Sequence, residues 1–420
     1  MTHSEWDVAV IGGGASGLAA ACAAGQAGAK TVILERADRV GRKLLATGNG
    51  KCNLSNAAAN DLRCYFSETP DAVRQVLTRC PPEKVLQFFR SLGLLTRTDS
   101  EGRIYPYSEQ ASAVLDVLRT AAEVRGVAEA CNFDVQQIRR TNGRFLLQSK
   151  TGESIAARSV IVACGGPAAP ANGGTDGGLN LLRSMGHPVT TLHPSLTPLK
   201  TDEKLTRPLK GLRVKCSVTL MQGSRAVASE QGELQLGEGQ LSGICIFQLS
   251  RTAGALLAKG ARDLFISVDL LPGYTPEETR ALLNTRRSLR SCTADQYFTG
   301  LFAKKIGFEL MRGIVSDPTK RTVGDLTATE IAALAKRCRD WRFPVLATGT
   351  YANAQVTAGG ARLDSFDGAM QSKKVPGLFA CGEVLDADGL CGGFNLQWAW
   401  SSGLLAGMSS AAYCGKGTKK

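Results

Sequence analysis

Histidine is scarce in this chain. Its 420 residues hold His3, His187 and His193, and with no H-E-x-x-H pair and no clustered Cys and His the sequence gives no support to a metal site. His3 stands at the very start and His187 follows Gly186 in a turn, so neither reads as a catalyst. No two of the 13 cysteines have C-x-x-C spacing. An odd number of scattered thiols suits a reducing compartment better than a disulfide framework, and dithiol redox chemistry loses support. No apolar run approaches the roughly 20 residues that cross a bilayer. There is no basic segment ahead of the strand pattern at Asp7, so no secretory signal is read and a cytoplasmic location is expected. Charged residues make up 21% and hydrophobic ones 43%, which excludes a disordered chain. The length predicts about two or three folding units.

What is abundant is glycine, 47 residues, and its placement carries the strongest local signal. Asp7-Val-Ala-Val-Ile11 reads as a buried strand, Leu18 to Gln26 as a small-residue helix, and Lys30 to Glu35 as a second strand. Between the first strand and the helix, Gly12, Gly14 and Gly17 have G-x-G-x-x-G spacing. The first glycine makes the tight turn, the second lets backbone approach a pyrophosphate, and the third lets helix and strand pack closely. The helix start then faces the phosphates with free N–H groups. Glu35 ends the second strand, where a carboxylate accepts hydrogen bonds from a ribose. Next, Gly41 to Asn53 is too rich in Gly and Asn for a regular element and lies close enough to touch the nucleotide.

Further along, helices are expected from Pro82 to Leu92 and from a cap at Ser108 to near Gly126. Short strands follow at Phe133 to Arg139, Phe145 to Gln148 and Ser154 to Ala156, and then an apolar strand, Ser159 to Ala163, ends in Gly165-Gly166. Between about His193 and Phe343 strands such as Val214 to Met221 and Leu264 to Leu270 give way to helical stretches at Pro276 to Ser288 and Thr327 to Arg337. That segment carries 23 Lys and Arg against 15 Asp and Glu, which is +8 of the chain's +13. The excess attracts anions without choosing among them, and the basic runs read first as solvated helix faces. The last strand, near Leu378, and the helix from Leu396 to Ala412 need a sheet to join. The economical solution is that they complete the first domain. The expected fold class is therefore α/β: a discontinuous Rossmann-like domain of residues 1–190 and 345–420, with an inserted domain of residues 191–344 that is β-rich and then helical.

The order of these motifs resembles the flavoproteins built on a glutathione-reductase-type FAD domain. More narrowly, Gly41-Arg-Lys-x-x-x-Thr-Gly-Asn-Gly-Lys-Cys-Asn53, Tyr105-Pro106, Gly232-Glu233, Leu241-Ser-Gly243 and Cys391 to Gly403 resemble the HI0933-type group, which includes the BaiN-like and aminoacetone oxidase-like proteins. The resemblance implies FAD held in an extended pose, with a β-barrel-like and helical insert. It implies that Ala15, Ser16 and Gly17 meet the pyrophosphate, Glu35 and Arg36 the adenosine ribose, and Val135 the adenine. It also places Lys43 and Gly48-Asn49-Gly50 along the flavin, the strand end at Ala163 and Gly165 beside the cofactor, and Gly382 and Glu383 at the ribityl chain. Asn395, Leu396 and Gln397 would bring helix N–H groups to the pyrimidine edge, where reduced flavin carries negative charge.

The expected activity is FAD-dependent oxidoreduction: hydride passes through flavin N5 to or from a small organic substrate, with NADH or NADPH as a transient donor, since only one nucleotide fingerprint is present. Alternatives are an RNA-modifying flavoprotein, motivated by the basic insert, and a flavin-bearing redox sensor. Nucleic acid is not the expected partner, and no membrane association is expected. Tyr105 and Glu238 are weak candidates for proton transfer; Tyr105, like Tyr107, reads equally well as a core aromatic. Cys52, Cys164, Cys381 and Cys391 read as packing before redox chemistry.

Overall fold

The computed structural model describes residues 5–416, side chains through residue 415; His3 lies outside them. The chain divides into two compact units, one of residues 1–194 with 351–420, the other of residues 195–350.

Unit 1 begins with β1 (Glu5–Ile11), α1 (Ala15–Gln26) and β2 (Thr31–Leu34). Every residue of β2 is buried, as expected of a strand covered on both faces. After the short helices Arg42–Leu45, Pro70–Arg79 and Pro82–Ser91, α2 (Ala111–Val124) leads to β3 (Ala128–Ala130), then β4 (Val135–Thr141), β5 (Arg144–Ser149) and β6 (Ser154–Val162). The cap of α2 falls at Gln110 rather than Ser108. Glu109 takes a left-handed conformation, φ +53, and its carboxylate is held by Lys51 and Arg97, so the helix cannot begin earlier.

In unit 2, β7 (Arg213–Gln222), β8 (Arg225–Gly237), α3 (Ile244–Ala258) and β9 (Leu264–Asp269) precede α4 (Pro276–Thr285), α5 (Lys304–Met311), α6 (Ala328–Arg339) and β10 (Trp341–Pro344). Its sheet is antiparallel throughout. The continuous segment 341–348 pairs with β9 at one edge and, through Ala347–Thr348, with Leu199–Lys200 at the other. One piece of chain thus bridges both edges and gives the barrel-like form. Capping boxes start α4 (Thr275 with Glu278) and α6 (Thr327 with Glu330), each satisfying otherwise orphaned N–H groups.

The chain then returns to unit 1 with β11 (Leu378–Ala380) and α7 (Phe394–Lys416). The strand order of the main sheet is β3-β2-β1-β6-β5-β4, with β11 also on β6. β6 does double duty: Ser154–Ala157 pairs antiparallel with β5, and Val160–Val162 pairs parallel with β11. Residues near the chain's two ends pack together in one core that includes Leu18, Ile33, Val162, Phe379 and Trp400. Among the described residues no helix is long and apolar enough to cross a membrane.

Candidate cofactor and active site

Two helix starts, and the loops around them, make up the candidate site in unit 1. At the first, Gly12 has φ +103, and a Cβ there would press against Ala163 O at 2.7 Å. A Cβ on Gly17 would overlap Gly12 O, whereas one on Gly14 would meet nothing within 4 Å. The outer glycines therefore serve the protein's own packing, while Gly14 opens backbone to free space. α1 has no side-chain cap and no acidic residue in its first turn. Leu18 N–H is the first to close onto the helix, at 2.9 Å from Gly14 O, which leaves the N–H groups of Ala15, Ser16 and Gly17 outside the helical ladder, as an anion-binding helix start requires.

Glu35 is fixed beside this loop. Its Oε2 accepts from Gly13 N–H at 2.8 Å and its Oε1 from Ala37 N–H at 2.8 Å, and each oxygen keeps capacity for a further donor. Phe133 N–H donates to Glu35 O at 2.8 Å, which brings the start of β4 alongside. The side chain of Val135 is buried in the core, so what it offers a ligand is backbone. Arg36 donates to Gly174 O at 3.5 Å and Arg42 to Ala171 O at 3.3 Å; both guanidinium groups are turned onto the loop after β6. Ala163 N–H donates to Ile11 O at 2.8 Å, and Gly165, φ +69, faces open space.

The segment 41–53 reaches the far side of the site. Gly48, Asn49 and Gly50 form an exposed left-handed turn, closed by Cys52 N–H on Thr47 O at 3.0 Å. Lys43 Nζ lies 2.8 Å from Glu383 Oε2, and Glu383 Oε1 accepts from Thr357 N–H at 2.9 Å. Thr357, which sequence reasoning passed over, also accepts from Ala168 N–H at 3.1 Å. Only its place in a small-residue run close to Gly359-Gly360 hinted at a role.

The second helix start, that of α7, is held by side chains from distant parts of unit 1. Asn395 accepts from Gly389 N–H at 2.8 Å and donates to Gly389 O at 2.9 Å. Asn56 donates to Gly392 O at 2.8 Å, Trp398 Nε1 to Gly382 O at 3.1 Å and Trp400 Nε1 to Leu54 O at 3.0 Å. Gln397 is 0% exposed; Ser55 Oγ donates to its Oε1 at 2.6 Å and its Nε2 donates to Ser401 Oγ at 2.8 Å. Its backbone N–H is spent on Gly393 O at 2.9 Å. The expectation of a Gln397 N–H at a ligand edge is thereby corrected: the first turn presents Phe394, Asn395 and Leu396 instead, and Gln397 anchors them. The two helices meet closely. A Cβ on Gly403 would lie 2.5 Å from Ser16 O, and one on Gly407 would overlap Ala20 O, so α1 and α7 pack backbone to backbone and their starts share one rigid frame.

Tyr105 lies half-buried in the hairpin Thr96–Thr98 and Arg103–Pro106, cross-strand from Arg97. Its neighbour Ile104 pairs with Ser55, the residue bonded to Gln397. Burial raises its hydroxyl pKa, while the Arg103 guanidinium pulls it the other way. Tyr107, at 62% exposed, is solvent-facing rather than a core aromatic. Glu238 belongs to unit 2, where Lys210 at 2.7 Å and Arg207 hold it. The hydrogen bond from Lys210 keeps its carboxyl below the usual range, so it is poorly suited to carry a proton at neutral pH. Among the described residues no group of three or more His, Cys, Asp or Glu is placed to hold a metal ion.

The cysteines in these loops are quiet. Burial pushes the thiols of Cys52, Cys164 and Cys381 up to about 12 and also raises Cys391. Iodoacetamide at about pH 8 is therefore expected to leave all four unmodified in the native protein and to label them after denaturation. Rapid native labelling, read by peptide mass, would restore a redox role.

The donor set fits a dinucleotide cofactor: an open glycine at an uncapped helix start, a carboxylate at the next strand end, and a second constrained helix start in the same unit. Comparisons with known proteins agree. The family model described as HI0933-like protein Rossmann domain matches residues 6–409. The 3-dehydro-bile acid delta(4,6)-reductase of Clostridium scindens is 35% identical over 410 residues, covering 96% of this chain and 98% of the relative. A ribosomal RNA dihydrouridine synthase of Haemophilus influenzae is 27% identical over 409 residues, covering 95% and 97%. In fold, the chain is similar to the solved 3-ketosteroid-delta4-(5alpha)-dehydrogenase of Rhodococcus jostii RHA1, with TM-score 0.51, 15% identity and 97% of each chain covered. A family match over nearly the whole length, on a site of this form, shows that the chain belongs to the HI0933-like family of Rossmann-domain flavoproteins.

Proposed function

We propose that this protein is an FAD-dependent reductase that saturates a ring carbon–carbon double bond conjugated to a carbonyl in a small organic molecule, with NADH or NADPH as a transient donor. The observation that carries the reading is the pair of helix starts, at Ala15 and Phe394, interlocked through Gly403 and Gly407. The names of both relatives describe saturation of a ring double bond, in a bile acid and in uridine. FAD, when bound, supplies two-electron hydride chemistry. The residues of this chain do the rest. Ala15, Ser16 and Gly17 hold the pyrophosphate, Glu35 the ribose, and the N–H groups of Phe394, Asn395 and Leu396 stabilise negative charge at the ring edge. Tyr105 delivers the proton that the acceptor's α-carbon or oxygen needs once its β-carbon has received hydride.

The test is anaerobic. Purified protein loaded with FAD is expected to bleach on mixing with NADH or NADPH and to recover its colour with a conjugated cyclic enone. A chain that neither retains nor rebinds FAD would sink the proposal.

A second reading, reduction of uracil in RNA, is favoured by the +8 charge of the insert. Arg286 and Arg337 are committed to backbone carbonyls, and Arg321 pairs with Glu330. Arg287, Arg290, Lys304 and Lys305 lie exposed. This reading requires recovery of colour with an rRNA fragment, and binding that weakens steeply with salt. Enone turnover without RNA binding removes it.

A further inference from the structure

The carboxylate of Glu383 is where the loops of the candidate site meet. Lys43 Nζ sits 2.8 Å from one oxygen, and Thr357 N–H donates to the other at 2.9 Å. A Cβ on Gly166 would come within 3.1 Å of Glu383 Oε1 and would overlap Thr357 Oγ1, so the loop after β6 is moulded around the same group. Lys43 and Glu383 are 340 residues apart in sequence, and their side chains are only 29% and 20% exposed. Nearby, Arg36 and Arg42 point their guanidinium groups at Gly174 O and Ala171 O, and Lys51 pairs with Glu109. Glu35, the other carboxylate beside the glycine loop, is bonded to the N–H groups of Gly13 and Ala37 and has no lysine of its own among those contacts. Lys43 is thus the ammonium group that stands directly on Glu383.

This matters because the ligand proposed above is an anion. A half-buried carboxylate without its counter-ion adds repulsion to a dianionic pyrophosphate bound in the same unit, and desolvation on binding sharpens that repulsion. We propose that Lys43 is a charge-compensating, positioning residue: it cancels and orients the Glu383 carboxylate so that the site accepts FAD, and its benefit acts through Glu383 rather than through a contact of its own with the cofactor. The inference rests on the FAD reading. It differs from a generic basic contact in one respect, which is that removing the carboxylate should remove the need for the lysine.

The experiment is a double-substitution cycle read by FAD affinity, from quenching of flavin fluorescence on titration of the apo-protein, with apo-protein melting temperature measured alongside. Lys43→Met in the natural background is expected to weaken FAD about tenfold, and Lys43→Arg to restore most of the loss. In the Glu383→Gln background the same Lys43→Met change is expected to cost less than about twofold. Lys43→Gln serves as the second variant if Lys43→Met does not fold. An equal loss in both backgrounds overturns the inference, because Lys43 would then act on the cofactor directly or through the fold alone. A natural chain that binds no FAD overturns the functional reading and this inference with it. A natural chain that binds FAD while the cycle shows no coupling overturns this inference alone.

Discussion

Replacing Tyr105 by phenylalanine is expected to slow reduction of the acceptor about 10²–10⁴-fold, the usual worth of a positioned general acid. The rate at which nicotinamide bleaches the flavin should not change, since that half-reaction needs no proton from this side. Stopped-flow measurement of the two halves separates them. Tyr105 belongs to the hairpin whose Ile104 pairs with Ser55, and the α7 start is tied to Ser55 through Gln397. Burial raises its hydroxyl above the ordinary value of 10.0, while Arg103 pulls the other way. The acid must be protonated to act, and a raised value keeps it protonated through neutral and mildly alkaline pH. The acceptor half-reaction should therefore stay level with rising pH and fall only in the strongly alkaline range, a fall that the phenylalanine variant lacks. An acceptor rate within about threefold of the natural protein's in Tyr105→Phe would place the proton donor elsewhere.

A contrast between binding and folding is expected at two glycines three residues apart. At Gly14 a methyl group meets no protein atom within 4 Å, so Gly14→Ala should fold with little change in melting temperature. The same methyl stands where backbone must approach a pyrophosphate, and FAD affinity should drop at least about tenfold. At Gly17 the methyl would overlap Gly12 O. Gly17→Ala should cost about 1–3 kcal/mol of stability through overpacking, with cofactor binding lost as a consequence of the displaced turn. Titration of both apo-proteins with FAD, beside thermal melts, decides the matter. Undiminished affinity in a well-folded Gly14→Ala variant would show that no phosphate lies over that residue.

Much of unit 1 was legible because its signals are local. β1, α1 and β2 follow from an apolar run, a glycine turn and small residues within about 30 positions. The expected strand from Asp7 to Ile11 extends to Glu5–Ile11, and the helix begins at Ala15 rather than Leu18, shifts of the size that fraying ends produce. Less was legible where one element answers to two partners. Ser154 to Ala156 and Ser159 to Ala163 read as separate strands, yet they form the single strand β6, since its halves pair with different neighbours and so show different burial patterns. α3 was not seen at all. Its Ile244–Ala258 stretch is apolar on nearly every side in its first turns, so no helical period stands out. In the site, the sequence pointed to Gln397 through its motif, but only the fold shows that its amide is consumed by Ser55 and Ser401. The Lys43–Glu383 pair and the bond between Ala168 and Thr357 join positions 340 and 189 residues apart, which no local pattern encodes.

The close seating of Gly403 and Gly407 on α1 also bears on how the protein is made. Residues 15–26 leave the ribosome well before the surface they are shaped to press against, which belongs to residues 394–416. The apolar side of the first helix must therefore wait through more than 350 further residues before its partner arrives, and the intervening insert has its own core and can condense in the meantime. Nascent chains of this protein consequently pass through a prolonged stage in which the nucleotide-binding half is unfinished and exposes hydrophobic surface, the kind of species that chaperones recognise.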